Sequence, residues 1–300
     1  MSLKKKIMPF MNNSSNKSRQ LQKKLAAADA VILGAGSGLS TAAGLTYSGP
    51  RFEKYFHDFE VKYGIHDMYS GGFYPFKDPT VYWAWWSRMI WVNRYQKAPK
   101  QTYQQLLKLV QDQNYFVLTT NVDHQFQLAG FDKQRLFYTQ GDYGLFQRAD
   151  LNQTYSNYDL VKAMVLSQGF EINQAGQLVV PEGTKVKMHV ASELAEQAAI
   201  YQRNLREDDQ FVEDEGWQRA AARFNNFVQQ HQHGKVVYWE LGVGMNTPVI
   251  IKYPFWKWTA RNPQATFVTM DQQVMYPPEI AQQTLAFQGD INDSLASLIK

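Results

Sequence analysis

The groups in this 300-residue chain that could act on a small molecule stand directly behind short apolar runs. Behind Ala30-Val31-Ile32-Leu33 comes Gly34-Ala35-Gly36-Ser37-Gly38-Leu39-Ser40. Behind Val117-Leu118-Thr119-Thr120 comes Asn121-Val122-Asp123, and behind Leu136-Phe137-Tyr138-Thr139 comes Gln140-Gly141-Asp142. Further on, Gly242-Val243-Gly244-Met245-Asn246, Asp271 and Gly289-Asp290 follow three more such runs. If each run is a strand of one parallel sheet, these residues share the crevice beyond the strand ends, where open α/β sheets bind ligands. A glycine turn there lets backbone approach a phosphate, and the helix after it offers unpaired N–H groups to an anion. The same glycines also suit a tight strand-to-helix turn with no ligand at all, and both readings stand at this point. An amide such as Asn121 can hold a ribose hydroxyl or a water, while Asp123 can cap the helix that follows. An Asn two residues ahead of a cap does little for the helix, which favours a ligand role for Asn121. His124, in the first turn of that helix, reads as a surface or packing residue.

The glycine turn is not the dehydrogenase fingerprint. Leu39 stands where the third glycine belongs, and no second strand ending in an acidic residue follows about 20 residues on. No Lys-Ser/Thr pair follows the glycines, so it is not a P-loop either. A nucleotide is compatible with the motif; ordinary hydride transfer is not supported.

These turns need elements to hold them. The pattern predicts strands over 30–33, 115–120, 136–139, 236–241, 265–270 and 285–287, alternating with helices over 18–28, 39–43, 100–112, 123–128, 217–230 and 291–299. Asn246-Thr247-Pro248 reads as the start of a further helix, and Asp290 as the cap of the last. Short apolar strands alternating with helices argue an α/β fold, a Rossmann-like doubly wound parallel sheet. Residues 46–100, punctuated by Gly64, Gly71-Gly72, Pro75 and Pro79, read as an inserted helical module with its own small core, because the aromatic excess concentrates between Phe52 and Tyr95. Trp83, Trp85, Trp86 and Trp91 belong to that core. Residues 147–212 turn polar and read as a smaller inserted lobe. The expected division is a disordered tail over 1–17, a nucleotide-binding domain over 18–146 and 213–300, and the lobe between.

Composition excludes several classes. There is no cysteine, so disulfides, a thiolate nucleophile and Cys-held zinc are impossible. The six His show no metal spacing. The net charge of +4 is mild and partly due to Lys4, Lys5 and Lys6, so no nucleic-acid partner is expected. No stretch is apolar and long enough for a membrane span or a signal peptide. The cysteine-free chain fits a reducing, cytoplasmic setting.

Taken together, the turns resemble the sirtuin family. Gly36-Ser37-Gly38-Leu39-Ser40 with Gly44-Leu45 resembles the GAGIS…GI motif, and Thr120-Asn121-Val122-Asp123 the QNVD motif. Gln140-Gly141 stands where sirtuins carry His-Gly, and Glu240-Leu241-Gly242-Val243-Gly244 is similar to their Gly-Thr-Ser loop. Met270-Asp271 sits where Ile-Asn meets the adenosine side, and Gly289-Asp290 matches the closing Gly-Asp. Asp67-Met68-Tyr69-Ser70, Gln140-Gly141-Asp142-Tyr143, Glu213-Asp214-Glu215-Gly216-Trp217 and Ile251-Lys252-Tyr253-Pro254-Phe255-Trp256 resemble the macrodomain-linked bacterial branch, class M.

The resemblance implies binding of NAD as co-substrate, cleavage of its nicotinamide–ribose bond and transfer of ADP-ribose to a protein, with lipoyl-carrier proteins as targets and a macrodomain hydrolase as a further partner. It implies catalytic roles for Asn121, Gln140 and Asp123. The cofactor would meet Ala35, Gly36, Ser37, Gly38, Ser40, Phe52, Asn121, Asp123, Gln140, Gly242, Gly244, Asn246, Met270 and Asp271. Two departures bear on the reaction. A glutamine amide does not ionise near neutral pH, so Gln140 cannot take a proton as a deacylase His does. The lobe has no cysteines for zinc, so packing must hold it. Arg51-Phe52 is a displaced match to the family's Phe-Arg pair, with Phe52 expected to shield the nicotinamide end. A deacylase, an NAD hydrolase and a non-catalytic NAD or ADP-ribose sensor are the alternatives.

Overall fold

The computed structural model describes residues 12–299. Among the described residues, strands run in chain order as β1 (Ala30–Ala35), β2 (Tyr115–Thr119), β3 (Leu136–Tyr138), β4 (Gly141–Arg148), β5 (Gln153–Ser156), β6 (Glu171–Ile172), β7 (Leu178–Val179), β8 (Gln202–Leu205), β9 (Val236–Leu241), β10 (Thr266–Asp271) and β11 (Thr284–Gln288). The first helices are α1 (Asn12–Ala26), α2 (Ser37–Ala42), α3 (Pro50–Tyr63), α4 (Met68–Gly72) and α5 (Pro79–Ile90). A π-helical turn, Trp91–Tyr95, extends the last of these. Then come α6 (Thr102–Val110), α7 (Gln125–Leu128), α8 (Tyr158–Ser167), α9 (Ser192–Ala198), α10 (Glu215–Gln230), α11 (Lys252–Arg261) and α12 (Ile291–Ile299).

The main sheet has six strands in the order β11-β10-β9-β1-β2-β3, and every pairing is parallel. β1 lies at its centre. The chain first grows outward from it through β2 and β3, then returns to its other side with β9. That reversal opens a crevice at the carboxyl end of β1. Strand alternation divides the core into two faces. Val31, Leu33 and Ala35 pack with α1, α6 and α12, whereas Ala30 and Ile32 face α10 and α11. Gly34 sits on that second face because no side chain fits: a Cβ would lie 2.4 Å from Ile251 and 2.6 Å from Phe255.

A third core fills the inserted segments, and it is shared. Phe52, Phe56, Phe59, Trp83, Trp85 and Trp86 from α3 and α5 pack in one cluster with Phe146, Val161, Met164, Phe170, Leu178 and Val190. The expected private core of residues 46–100 is thus half of a larger one. Arg88, 1% exposed, ties the halves together. Its guanidinium donates to both oxygens of Asp58, at 2.7 and 2.9 Å, to Gln168 Oε1 at 2.7 Å and to Lys187 O at 2.8 Å. Packing and this hub hold a lobe that has no cysteine for zinc.

Two boundaries differ most from expectation. The tail expected to be disordered over 1–17 lies outside the described residues up to residue 11, but 12–17 form the start of α1. This helix is anchored by Lys17 Nζ donating to Ala286 O at 2.9 Å. Pro248 does not open a helix. Residues 246–251 form bends and turns, and α11 starts at Lys252, where the buried Lys252–Glu240 pair, 2.6 Å apart, fixes its first turn to β9.

Candidate active site

Three turns meet over β1. The first turn and the loop after β9 touch backbone to backbone. Gly36 N–H donates to Leu241 O and Gly38 N–H to Gly242 O, both at 3.0 Å. A Cβ on Gly36 would lie 2.5 Å from Gly242 O, one on Gly38 2.7 Å from Gly242 Cα, and one on Gly242, at φ +62°, 2.3 Å from Leu39 N. These glycines are needed for the loops to close on each other. That corrects the phosphate-cradle expectation for Gly36 and Gly38, whose N–H groups are occupied. Ser37, between them, lines the cavity instead.

The cavity holds about 430 Å³. Ser37 and Ser40 come to it from α2, Asn121 and Asp123 from the turn after β2, Gln140 from the turn after β3, and Asn246 from the loop after β9. Six residues predicted from strand ends therefore face one space. Ser40 is its hub: its hydroxyl donates to Asp123 Oδ2 at 2.5 Å, receives Asn121 Nδ2 at 3.1 Å and lies 2.9 Å from the Tyr103 hydroxyl. Asn121 Nδ2 also donates to Gly36 O at 3.0 Å. Both amide protons are thus committed to the protein, and Oδ1 has no protein donor among the described residues.

Asp123 does cap α7, accepting from Gln125 N at 3.1 Å. It is 6% exposed, and burial raises its carboxyl above the usual range against the opposing pull of Ser40 and Gln125. Gln140 contributes its carbonyl to Arg206 N, 3.1 Å, and its side-chain amide has no protein partner among the described residues. Gly141 beside it, at φ +98°, passes so close to β8 that a Cβ would lie 2.0 Å from Asn204 O.

The remaining predicted contacts lie elsewhere. Phe52, 1% exposed, stacks on Phe56 at 5.7 Å inside the aromatic core, so it shields nothing in the cavity. Its position on the buried face of α3 explains this. Met270 points into the sheet core and meets the site only through its carbonyl, which accepts Gly242 N–H at 2.9 Å. Ala35 is buried and serves β2, its carbonyl accepting the Thr120 N–H at 3.1 Å. Asp271 ends β10 outside the cavity lining, and Gly244 stands in open space.

Sequence reasoning missed other cavity residues: Tyr47, Tyr69, Tyr143, Arg206 and Glu207. Tyr47 and Tyr143 meet hydroxyl to hydroxyl at 3.2 Å, and burial raises both phenols. Arg206 directly follows β8, so the strand-end rule extended to the small lobe would have found it; Tyr143 lies inside β4, where that rule gives no signal. Among the described residues no group of three or more His, Asp or Glu could hold a metal ion, and no helix is long and apolar enough to cross a membrane.

A protein ADP-ribosyltransferase of Staphylococcus aureus (strain Mu50 / ATCC 700699) is 31% identical over 294 residues, covering 97% of this chain and 90% of the relative. A probable bifunctional ADP-ribose hydrolase/ADP-ribosyltransferase of Fusarium oxysporum f. sp. cubense is 28% identical, and the chain spans 50% of its length. No family profile matches. In fold, the chain is similar to a Sir2 homologue mutant in complex with 2'-O-acetyl ADP ribose, at TM-score 0.53 and 14% identity over 93% of this chain and 94% of that one. It is also similar to Sir2Tm bound to a propionylated peptide, at TM-score 0.52 and 15% identity over 94% and 97%.

Proposed function

The chain belongs to the sirtuin family, with a protein ADP-ribosyltransferase as relative, and from that premise we propose how its residues divide the reaction. It is an NAD-dependent ADP-ribosyltransferase, with NAD as co-substrate and a protein as acceptor. The bond between the ribose C1 and nicotinamide breaks, its electron pair leaving with nicotinamide. An acceptor nucleophile then bonds to C1 and releases its proton to water.

Asn121 carries this proposal. With both amide protons held by Gly36 O and Ser40 Oγ, its free carbonyl oxygen is a preset acceptor for a ribose hydroxyl. A group fixed before the ligand arrives loses little entropy in reaching the transition state. Gln140, without a protein partner for its amide, orients the second hydroxyl or the acceptor but takes no proton, which separates the site from a deacylase. Asp123, buried and tied to Ser40, orients the nicotinamide amide. Ser37 and Asn246 border the phosphate and adenosine half, with Asp271 beyond them. A lipoylated carrier protein as acceptor, a macrodomain hydrolase that reverses the modification, and a cytoplasmic setting complete the proposal.

The test is nicotinamide release from NAD, with and without a lipoylated carrier protein, in wild type and Asn121→Ala. Carrier-dependent release that falls by about 10²-fold or more in the variant is expected. Carrier-independent release would point to an NAD hydrolase, and tight NAD binding without release to a sensor.

A further inference from the structure

Behind the cavity wall lies a charged cluster that the reaction above does not use. Arg94 comes from the π-helical turn of the inserted module, His124 from the turn after β2, and Asp142 from the start of β4. Their side chains close a ring. Arg94 Nε donates to Asp142 Oδ1 at 2.8 Å, Arg94 Nη2 lies 3.1 Å from His124 Nδ1, and His124 Nε2 lies 2.9 Å from Asp142 Oδ2. Because a guanidinium only donates, Nδ1 must accept, which assigns the imidazole proton to Nε2, facing the carboxylate.

The ring is braced around a buried carboxylate, with Arg94 and His124 half-buried. Asp142 is 7% exposed and also accepts Gly144 N–H at 2.7 Å. The His124 imidazole stacks on Tyr138, ring centres 4.1 Å apart and 18° from parallel. His124 itself has φ +56°, one of two non-glycine residues with positive φ among those described. An L-residue pays free energy for that conformation, least so for Asn among the alternatives. Neighbouring structure must therefore enforce it, and the ring is what holds the side chain. The ring members adjoin the reacting groups in sequence: His124 follows Asp123 directly, and Asp142 lies two residues after Gln140. One backbone bond, Tyr143 N–H to Val122 O at 3.0 Å, joins the two turns alongside it.

We propose that Arg94, Asp142 and His124 act as positioning residues, a clamp that sets the spacing between Asn121 and Gln140 across the cavity and couples it to the inserted helical module. This rests on the reading of Asn121 and Gln140 as the reacting pair. Loss of the clamp leaves the cavity and its NAD contacts in place but lets the two amides drift, and a misplacement near 1 Å slows a positioned reaction by about 10²-fold. The effect falls on turnover more than on NAD affinity. The His124→Asn change tolerates the left-handed backbone, and its amide oxygen can take the place of Nδ1 as the acceptor from Arg94, so it restores much of the function that His124→Ala loses.

The experiment measures nicotinamide release from NAD by the full chain, with a lipoylated carrier protein present, for wild type, His124→Ala, His124→Asn, Asp142→Asn and Asn121→Ala, with thermal melting of each. Expected for His124→Ala are a kcat lower by about 10²-fold, a KM for NAD within about threefold of wild type, and recovery to within about fivefold in His124→Asn. A folded His124→Ala with wild-type kcat, or a loss confined to KM, overturns the clamp. If His124→Ala fails to fold, Asp142→Asn decides: slowed turnover at unchanged KM supports the clamp, and wild-type turnover overturns it. Asn121→Ala with wild-type release overturns the pair and the clamp together, whereas an inactive Asn121→Ala beside a normal His124→Ala overturns the clamp alone.

Discussion

The turns after β2 and β3 each end in an aspartate, in Asn121-Val122-Asp123 and Gln140-Gly141-Asp142. The two carboxylates are buried almost equally, at 6% and 7% exposure, yet their surroundings push them in opposite directions. Asp123 meets a serine hydroxyl and a backbone N–H, and burial raises it above the usual carboxylate range. Asp142 is desolvated too, but His124 and Arg94 beside it hold it well below that range. Burial alone does not set a carboxylate's behaviour; its hydrogen-bond and charged partners do. The turn held by a hydroxyl and a backbone N–H faces the cavity, and the turn held by the Arg94 guanidinium and the His124 N–H locks the wall.

The largest expected effect comes from removing the charged-partner carboxylate. Asp142→Ala leaves the half-buried Arg94 without its counter-ion; between the cost of breaking a fully buried pair and that of an exposed one, a loss of about 2–3 kcal/mol is expected. Chemical denaturation should show this as a lower midpoint at unchanged slope; a loss below about 1 kcal/mol would place Asp142 with ordinary surface pairs and dissolve the contrast.

Acid should separate the two next. The lowered carboxyl of Asp142 adds stability that is fully present above the unfolded carboxylate value near 4 and lost as pH falls through its folded value. The raised carboxyl of Asp123 works the other way: its penalty is absent below about 4 and develops as pH rises through its folded value. Wild type and Asp142→Asn should therefore converge in stability toward strong acid, while wild type and Asp123→Asn converge already near pH 4. Parallel curves across pH 2 to 8 would contradict both assignments.

The smallest effect has the opposite sign. Asp123→Asn keeps an acceptor for Gln125 N–H, and Ser40 can accept from the new amide. It should stabilise the fold at neutral pH by on the order of 1 kcal/mol while lowering nicotinamide release. A variant that is both less stable and fully active would show Asp123 to be only a helix cap.

The strand-end logic carried far here because parallel strands put their carboxyl ends on one side, whatever the helices between them do. Ser37, Ser40, Asn121, Asp123, Gln140 and Asn246 were legible for that reason. Phe52 was not, because an aromatic beside a glycine turn looks the same in sequence whether it faces a ligand or stacks on Phe56. The role of His124 was hidden in a different way. Its partners lie 30 residues before it and 18 after it, and its backbone leaves the helix that the apolar pattern extends through it. The shared core of the inserted segments was obscured by the polar surface of 147–212, whose Val161, Met164, Val165, Phe170, Leu178 and Val190 point inward while other apolar residues there, such as Leu166 and Ile200, stay exposed.

The contact between Gly36, Gly38 and Gly242 has a consequence for how such a chain can change over generations. No side chain lies at that contact, so no series of graded substitutions can loosen it. The smallest available step, one methyl, already collides with main chain on the other loop. Tolerated variants should then arise as paired changes, with one loop rebuilt to admit the other. A library that randomises both loops together should yield survivors that single-site libraries of either loop never contain.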